Sequence, residues 1–81
     1  MKALFVQING KKHCLAGMPN GGLELSIGLT REQANGPYGL AVYGCDLTTE
    51  QVSHWPIASL NVGDEIRIAL LDADEVDPPA H

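Results

Sequence analysis

Apolar and polar residues alternate most strictly in LELSIGL, where Leu23, Leu25, Ile27 and Leu29 point one way and Glu24, Ser26 and Gly28 the other. A period of two predicts a strand with one wet face. The run after Gly63-Asp64 reads the same way, with Ile66, Ile68 and Leu70 alternating with Glu65, Arg67 and Ala69. Near the start, LFVQI and KKHCL flank Asn9-Gly10, a pair that readily takes the positive φ angles of a two-residue type I′ turn. An unbroken hairpin at that turn sets Ile8 against Lys11, Val6 against His13, Phe5 against Cys14 and Leu4 against Leu15, since directly opposite residues share a face.

GLAVYGCD predicts a fourth strand, and the following LTTEQVSHW allows two readings. Thr48 with Gln51 could form a capping box for a short helix, or Leu47 to Glu50 could be a hairpin loop from which QVSHW returns as a strand. A stretch ending at Trp55-Pro56 leaves little helix to stabilise, which favours the hairpin. That hairpin places Tyr43 opposite His54 and Val42 opposite Trp55. Glycine, asparagine and proline mark loops over 17–22 and 30–39 and a turn over 61–64. Beyond Asp72 the apolar pattern fades, and Pro78 and Pro79 cannot donate to a sheet ladder, so the last residues should be loose or lie along the surface. These elements predict one all-β domain over 1–76, a small antiparallel β-sandwich or partly open barrel of about six strands, followed by a short flexible tail over 77–81.

A chain of 81 residues has room for one core and hides only about 60% of its unfolded surface. Ten acidic against five basic residues give a net charge of −5. The excess lies after Gly63, where Asp64, Glu65, Asp72, Asp74, Glu75 and Asp77 face only Arg67. Such a balance argues against nucleic-acid or anionic-membrane binding, both of which need clustered Lys and Arg, and suits a basic protein partner; a homodimer is the other partner considered. The opening MKALFVQING has no apolar core of the kind a signal peptide carries, and no stretch approaches the roughly 20 apolar residues of a membrane span. A cytoplasmic setting follows as the expectation, with Cys14 and Cys45 reduced rather than paired.

Candidate chemistry is sparse. His13, Cys14, Cys45 and His54 are the metal-ligand types near turns or on facing strands, but they lack the paired spacing of a structural zinc site. Cys45 with His54 is the one pairing that could activate a thiol, and no orienting group accompanies it. The carboxylates after Gly63 sit in a proline-ended segment rather than the buried setting that general acid chemistry needs. No catalytic residue and no cofactor is therefore expected. The working hypothesis is an acidic, non-enzymatic interaction protein with contacts at Tyr43, Trp55, Asp72, Asp74 and Glu75. Trp55 has a competing role as the centre of the core. The alternatives are an inhibitor or immunity-type partner of a basic enzyme, or a metal or thiol site at His13, Cys14, Cys45 and His54.

Taken whole, the chain resembles a group of short bacterial proteins of unassigned activity. The features that carry the likeness are Cys14-Leu15-Ala16-Gly17 after the first hairpin, Trp55-Pro56, and the run Val62-Gly63-Asp64-Glu65-Ile66 leading to Ala73-Asp74 and Asp77-Pro78-Pro79. The resemblance implies a compact stand-alone protein and lends no catalytic residues. SLNVGDEIRI also looks like the end of ubiquitin-like sulfur carriers. Those finish in Gly-Gly and need a helix after the first hairpin, whereas this sequence finishes in Pro78-Pro79-Ala80-His81 and predicts a strand over 23–29.

Overall fold

The computed structural model describes residues 1–18, 23–30 and 37–80, with 23–27 described through the backbone alone. The expected loop residues 19–22 and 31–36, and the side-chain alternation of Leu23, Leu25 and Ile27, lie outside the described residues. Seven strands run in chain order: β1 (Lys2–Ile8), β2 (Lys11–Gly17), β3 (Leu23–Thr30), β4 (Tyr38–Asp46), β5 (Val52–His54), β6 (Ala58–Leu60) and β7 (Ile66–Asp72). They form two antiparallel sheets and no closed barrel: a three-stranded sheet in the order β2-β1-β7, and a four-stranded sheet in which β4 pairs β3 on one side and β5 and β6 on the other. The described residues contain no helix.

The Asn9-Gly10 turn forms as its sequence predicts, with φ of 52° and 79°. The hairpin it closes is not unbroken. Ile8 pairs with Lys11 and Gln7 with Lys12, but the register then shifts, so that Val6 faces Cys14, Phe5 faces Leu15 and Leu4 faces Ala16. His13 is the extra residue of a β-bulge. Without it, His13 would stand opposite Val6 on the apolar face and Cys14 would turn outward. The shift sends Cys14 and Ala16 inward, where both are buried with Val6, Leu40, Val42, Trp55 and Leu60 in the core between the sheets.

The seventh strand, not expected from the sequence, is β6. Its three residues pair with the first half of β4, with Ala58 opposite Leu40 and Leu60 opposite Tyr38. β5 pairs with the second half of β4, with Tyr43 opposite His54 as the hairpin reading requires, and Trp55 N–H donates to Val42 O at 2.9 Å. Pro56 lacks the donor that would continue the ladder, so one edge is cut into two short pieces. The loop before β5 is the four-residue hairpin, closed by Asp46 N–H to Gln51 O at 2.9 Å. Buried Asp46 holds it from within: its Oδ1 accepts the Thr48 and Thr49 N–H groups at 2.8 and 3.3 Å.

The ends of the chain close one side of the sandwich. Met1 and Ala73 exchange two hydrogen bonds at 2.8 and 2.9 Å, which turns the chain past the start of β1. Residues 77–80, counted from sequence as a tail beyond the domain, run along the surface and are tied to both sheets. Asp77 N–H donates to Leu15 O at 2.9 Å, and Asp77 Oδ2 accepts Leu15 N–H at 2.8 Å. Asp77 O accepts the Trp55 indole Nε1–H at 2.9 Å, and Ala80 N–H donates to His54 O at 2.6 Å. This strap covers the outer edge of β2 and fastens it to β5. The opposite side, between β7 and β3, has no such strap among the described residues.

Candidate interaction surface

β7 and β1 are in continuous register, with Leu4 opposite Leu70, Val6 opposite Ile68 and Ile8 opposite Ile66. Opposite residues share a face, so Ile66, Ile68 and Leu70 lie on the face that carries the core, beside fully buried Val6. They are nevertheless 40%, 48% and 69% exposed. The apolar stripe of the three-stranded sheet therefore runs out into solvent along β7. Leu29 of β3, 59% exposed, flanks the same side. A groove of about 300 Å³ opens there, bounded by Leu29, Tyr38, Leu60, Val62 and Ile66.

Among the described residues β7 is also a free edge. It spans seven residues, shows no register shift against β1, and contains no proline. Between Ile66 and Leu71 its one charge is Arg67. Natural edge strands are commonly blunted by lysines, prolines or bulges against pairing with another chain. β7 carries none of these, whereas the outer edge of β2 is covered at Leu15 by Asp77.

The residues expected to make contacts are scattered. Trp55 is only 1% exposed and fills the centre of the core, with its indole N–H committed to Asp77 O. The core role, not a contact role, is the one it occupies. Tyr43 is exposed on the outer face of the four-stranded sheet, its ring tilted 41° to that of His54 at a centroid distance of 6.0 Å. Asp72 holds the Lys2 ammonium with both carboxylate oxygens, at 2.7 and 2.8 Å. Asp74 and Glu75 are exposed on the turn towards the strap.

The acidic segment is therefore no single strip. The Leu15 N–H bond, aided by Lys12 Nζ at 3.1 Å, holds the Asp77 carboxyl below the usual carboxylate range. The hydrogen bond and charge of Lys2 do the same for Asp72. Asp64 is lowered by the Asn61 N–H bond at 2.8 Å and the Asn9 side-chain amide at 3.1 Å. Each of these three shifts has a structural partner as its cause. Asn9 completes the link between the two turns by accepting Glu65 N–H at 2.9 Å.

The candidate metal and thiol residues do not converge. His13 Nε2 lies 2.8 Å from Pro56 O. A carbonyl can only accept, so that nitrogen carries a proton and ties β2 to the break between β5 and β6. Cys14 is buried in the core, and burial pushes its thiol pKa up, with the Asp77 carboxylate adding to the rise. Neither property suits a nucleophile, which needs a depressed pKa and access. Cys45 stands opposite Val52, two residues along from the Tyr43–His54 pair on the same face as the hairpin reading places it, and its sulfur makes a long contact of 3.8 Å to Asp46 O. Both thiols are unpaired with each other, and no group of three or more His, Cys, Asp or Glu among the described residues could hold a metal ion.

No family model, curated protein or solved structure matches this chain. Among the described residues, no helix is long and apolar enough to cross a membrane.

Proposed function

We propose that this chain is a small acidic interaction protein that docks to a protein partner and carries out no reaction. The observation that supports this most directly is the apolar stripe Ile66, Ile68 and Leu70, which continues the core face of the three-stranded sheet to a free strand edge. A partner strand laid along β7 would gain main-chain hydrogen bonds and cover that stripe at once, the mode of recognition known as strand addition. Tyr43, Asp74 and Glu75 remain secondary contact candidates on other surfaces. The unpaired thiols accord with a reducing, cytoplasmic setting. An inhibitor or immunity-type role towards a basic enzyme would use the net charge of −5 for steering rather than for the docked contact itself.

The test is co-isolation of mildly cross-linked complexes from the protein's own cells, comparing the natural chain with an Ile68→Lys, Leu70→Lys pair. The expected result is a stoichiometric complex that the pair loses while its strand circular dichroism is unchanged. A natural chain that is recovered alone, or a complex equally abundant with the lysines present, contradicts the reading.

A further inference from the structure

We propose that the outer edge of β2 and the end of β5 together form a recognition site for an extended Asp-Pro segment of a partner protein, and that the chain's own strap, residues 77–80, is its built-in occupant. This surface is distinct from the β7 edge, and the proposal does not depend on the docking reading above.

The strap makes the contacts of a bound peptide. Asp77 takes both main-chain groups of Leu15, its N–H donating to Leu15 O at 2.9 Å and its Oδ2 accepting Leu15 N–H at 2.8 Å, so that it engages the strand edge as an added peptide would. Its Oδ1 meets Lys12 Nζ at 3.1 Å, and its carbonyl accepts the Trp55 indole N–H at 2.9 Å. Ala80 N–H then reaches His54 O at 2.6 Å. Between these anchors Pro78 and Pro79 are exposed and have no N–H to donate. Their fixed φ keeps the segment extended before it docks, which lowers the ordering cost of binding. Recognition therefore rests on one aspartate and on main-chain groups.

A segment held by a few hydrogen bonds, with most of its residues exposed, belongs to the low end of local stability and opens without global unfolding. Lifting it bares the Leu15 N–H and carbonyl on an edge strand, the Trp55 indole N–H, the Lys12 ammonium and His54 O. Part-buried groups left without partners are costly, so the site favours an occupant, whether tethered or free. Charge suits an acidic one. On a chain of net charge −5, Lys11 and Lys12 are the one adjacent pair of basic residues. Room remains beyond the strap's described residues: a hollow of about 340 Å³, bounded by His54, Trp55, Pro56 and Ile57, opens beside Ala80. A partner segment longer than the strap would extend into it.

Fluorescence anisotropy with the full chain and a dye-labelled peptide of residues 75–80, Glu-Val-Asp-Pro-Pro-Ala, tests the proposal. A peptide with alanine in place of the aspartate is the control. In the natural chain the tethered strap competes, so the apparent affinity is reduced to the fraction of chains with the strap lifted. Asp77→Ala loosens the strap and should bind the labelled peptide roughly 5- to 30-fold more tightly than the natural chain does. The peptide should also return the Leu15 amide resonance of that variant to its natural position, whereas the alanine peptide should do neither. Ala80→Pro, which removes only the bond to His54 O, should tighten binding in the same direction with strand circular dichroism unchanged, and it decides the question if Asp77→Ala does not fold. No tightening in the folded variants, equal binding of the alanine peptide, or a Leu15 amide that the peptide leaves unmoved overturns the proposal. A doubled mass of Asp77→Ala in sedimentation equilibrium, with the peptide excluded, also overturns it, because straps exchanged between copies would then fill the site.

Discussion

Asp77 and Leu15, 62 positions apart in sequence, exchange two hydrogen bonds: the aspartate's N–H donates to the leucine's carbonyl, and its side-chain Oδ2 accepts the leucine's N–H. One residue so satisfies both main-chain groups of Leu15 at the edge of β2, and its own carbonyl then receives the Trp55 indole. The strap turns an open sandwich into one that is fastened along a single side.

Removing the carboxylate should loosen that side. Asp77→Ala leaves the part-buried Leu15 N–H without its acceptor, and a cost of about 1 to 2 kcal/mol is expected, which lowers the melting temperature by roughly 4 to 8 °C per kcal/mol in a domain of this size. Asp77→Asn retains an acceptor oxygen and should cost less. Urea unfolding of the three proteins checks the order, and an alanine variant as stable as the natural chain would contradict it.

Acid should act through the same group. Asp77, Asp72 and Asp64 all have carboxyl pKa values lowered in the folded chain. A lowered folded value favours the ionised native state, so the associated stability is fully present above the unfolded value of about 3.9 and is lost as pH falls through the folded values. The urea midpoint should decline from near pH 4 downwards. The Trp55 indole N–H resonance should shift with it in the natural chain, and less in Asp77→Asn. A midpoint that rises on acidification would contradict this account.

The strap also passes close to β2 at Gly17. A Cβ built there would stand 2.9 Å from Val76 Cγ1 and 3.1 Å from the Lys2 carbonyl oxygen. The valine could move, but the backbone oxygen belongs to the β1 ladder and cannot yield easily. Gly17→Ala should therefore destabilise by about 1 to 3 kcal/mol, the range for overpacking, and Val76→Ala should recover only part of the loss. A double-mutant cycle by denaturant titration measures the coupling.

The thiols should differ in access. Cys14 lies in the core with its pKa raised, while Cys45 is half-buried at the end of β4. Titration with an aromatic disulfide reagent should modify Cys45 in the native protein and reach Cys14 only on unfolding. Rapid native modification of Cys14 would place it outside the core described above.

Much of the fold was legible because alternation is local. The Asn9-Gly10 hairpin, the β4–β5 hairpin with Tyr43 opposite His54, and the alternating β7 all follow from residues within a few positions of each other. The bulge at His13 was not legible, because in KKHCLAG either Cys14 and Ala16 or His13 and Leu15 can supply the inward face. Only contact with the second sheet, where small Cys14 and Ala16 let β4 approach, decides between them. β6 was hidden by its length of three residues and by Pro56 beside it.

The site was less legible than the fold. Asp77 looked like part of a solvated acidic ending because its partners are Leu15, Lys12 and Trp55, all distant in sequence. Ile66, Ile68 and Leu70 were correctly placed on one face, but how much of that face stays uncovered depends on how the two sheets pack together, which no local pattern encodes. Trp55 was weighed between core and contact, and its position opposite Val42, with an acceptor waiting on the strap, puts it in the core.

The central claim is that the β7 edge is the working surface of this protein. Photo-cross-linking in cells tests it most directly, with a photoreactive amino acid placed at Leu70 and, as the control, at exposed Thr49 in the β4–β5 loop. The account predicts protein adducts from position 70 and none from position 49. No adduct from position 70, or equal adducts from both positions, would contradict it.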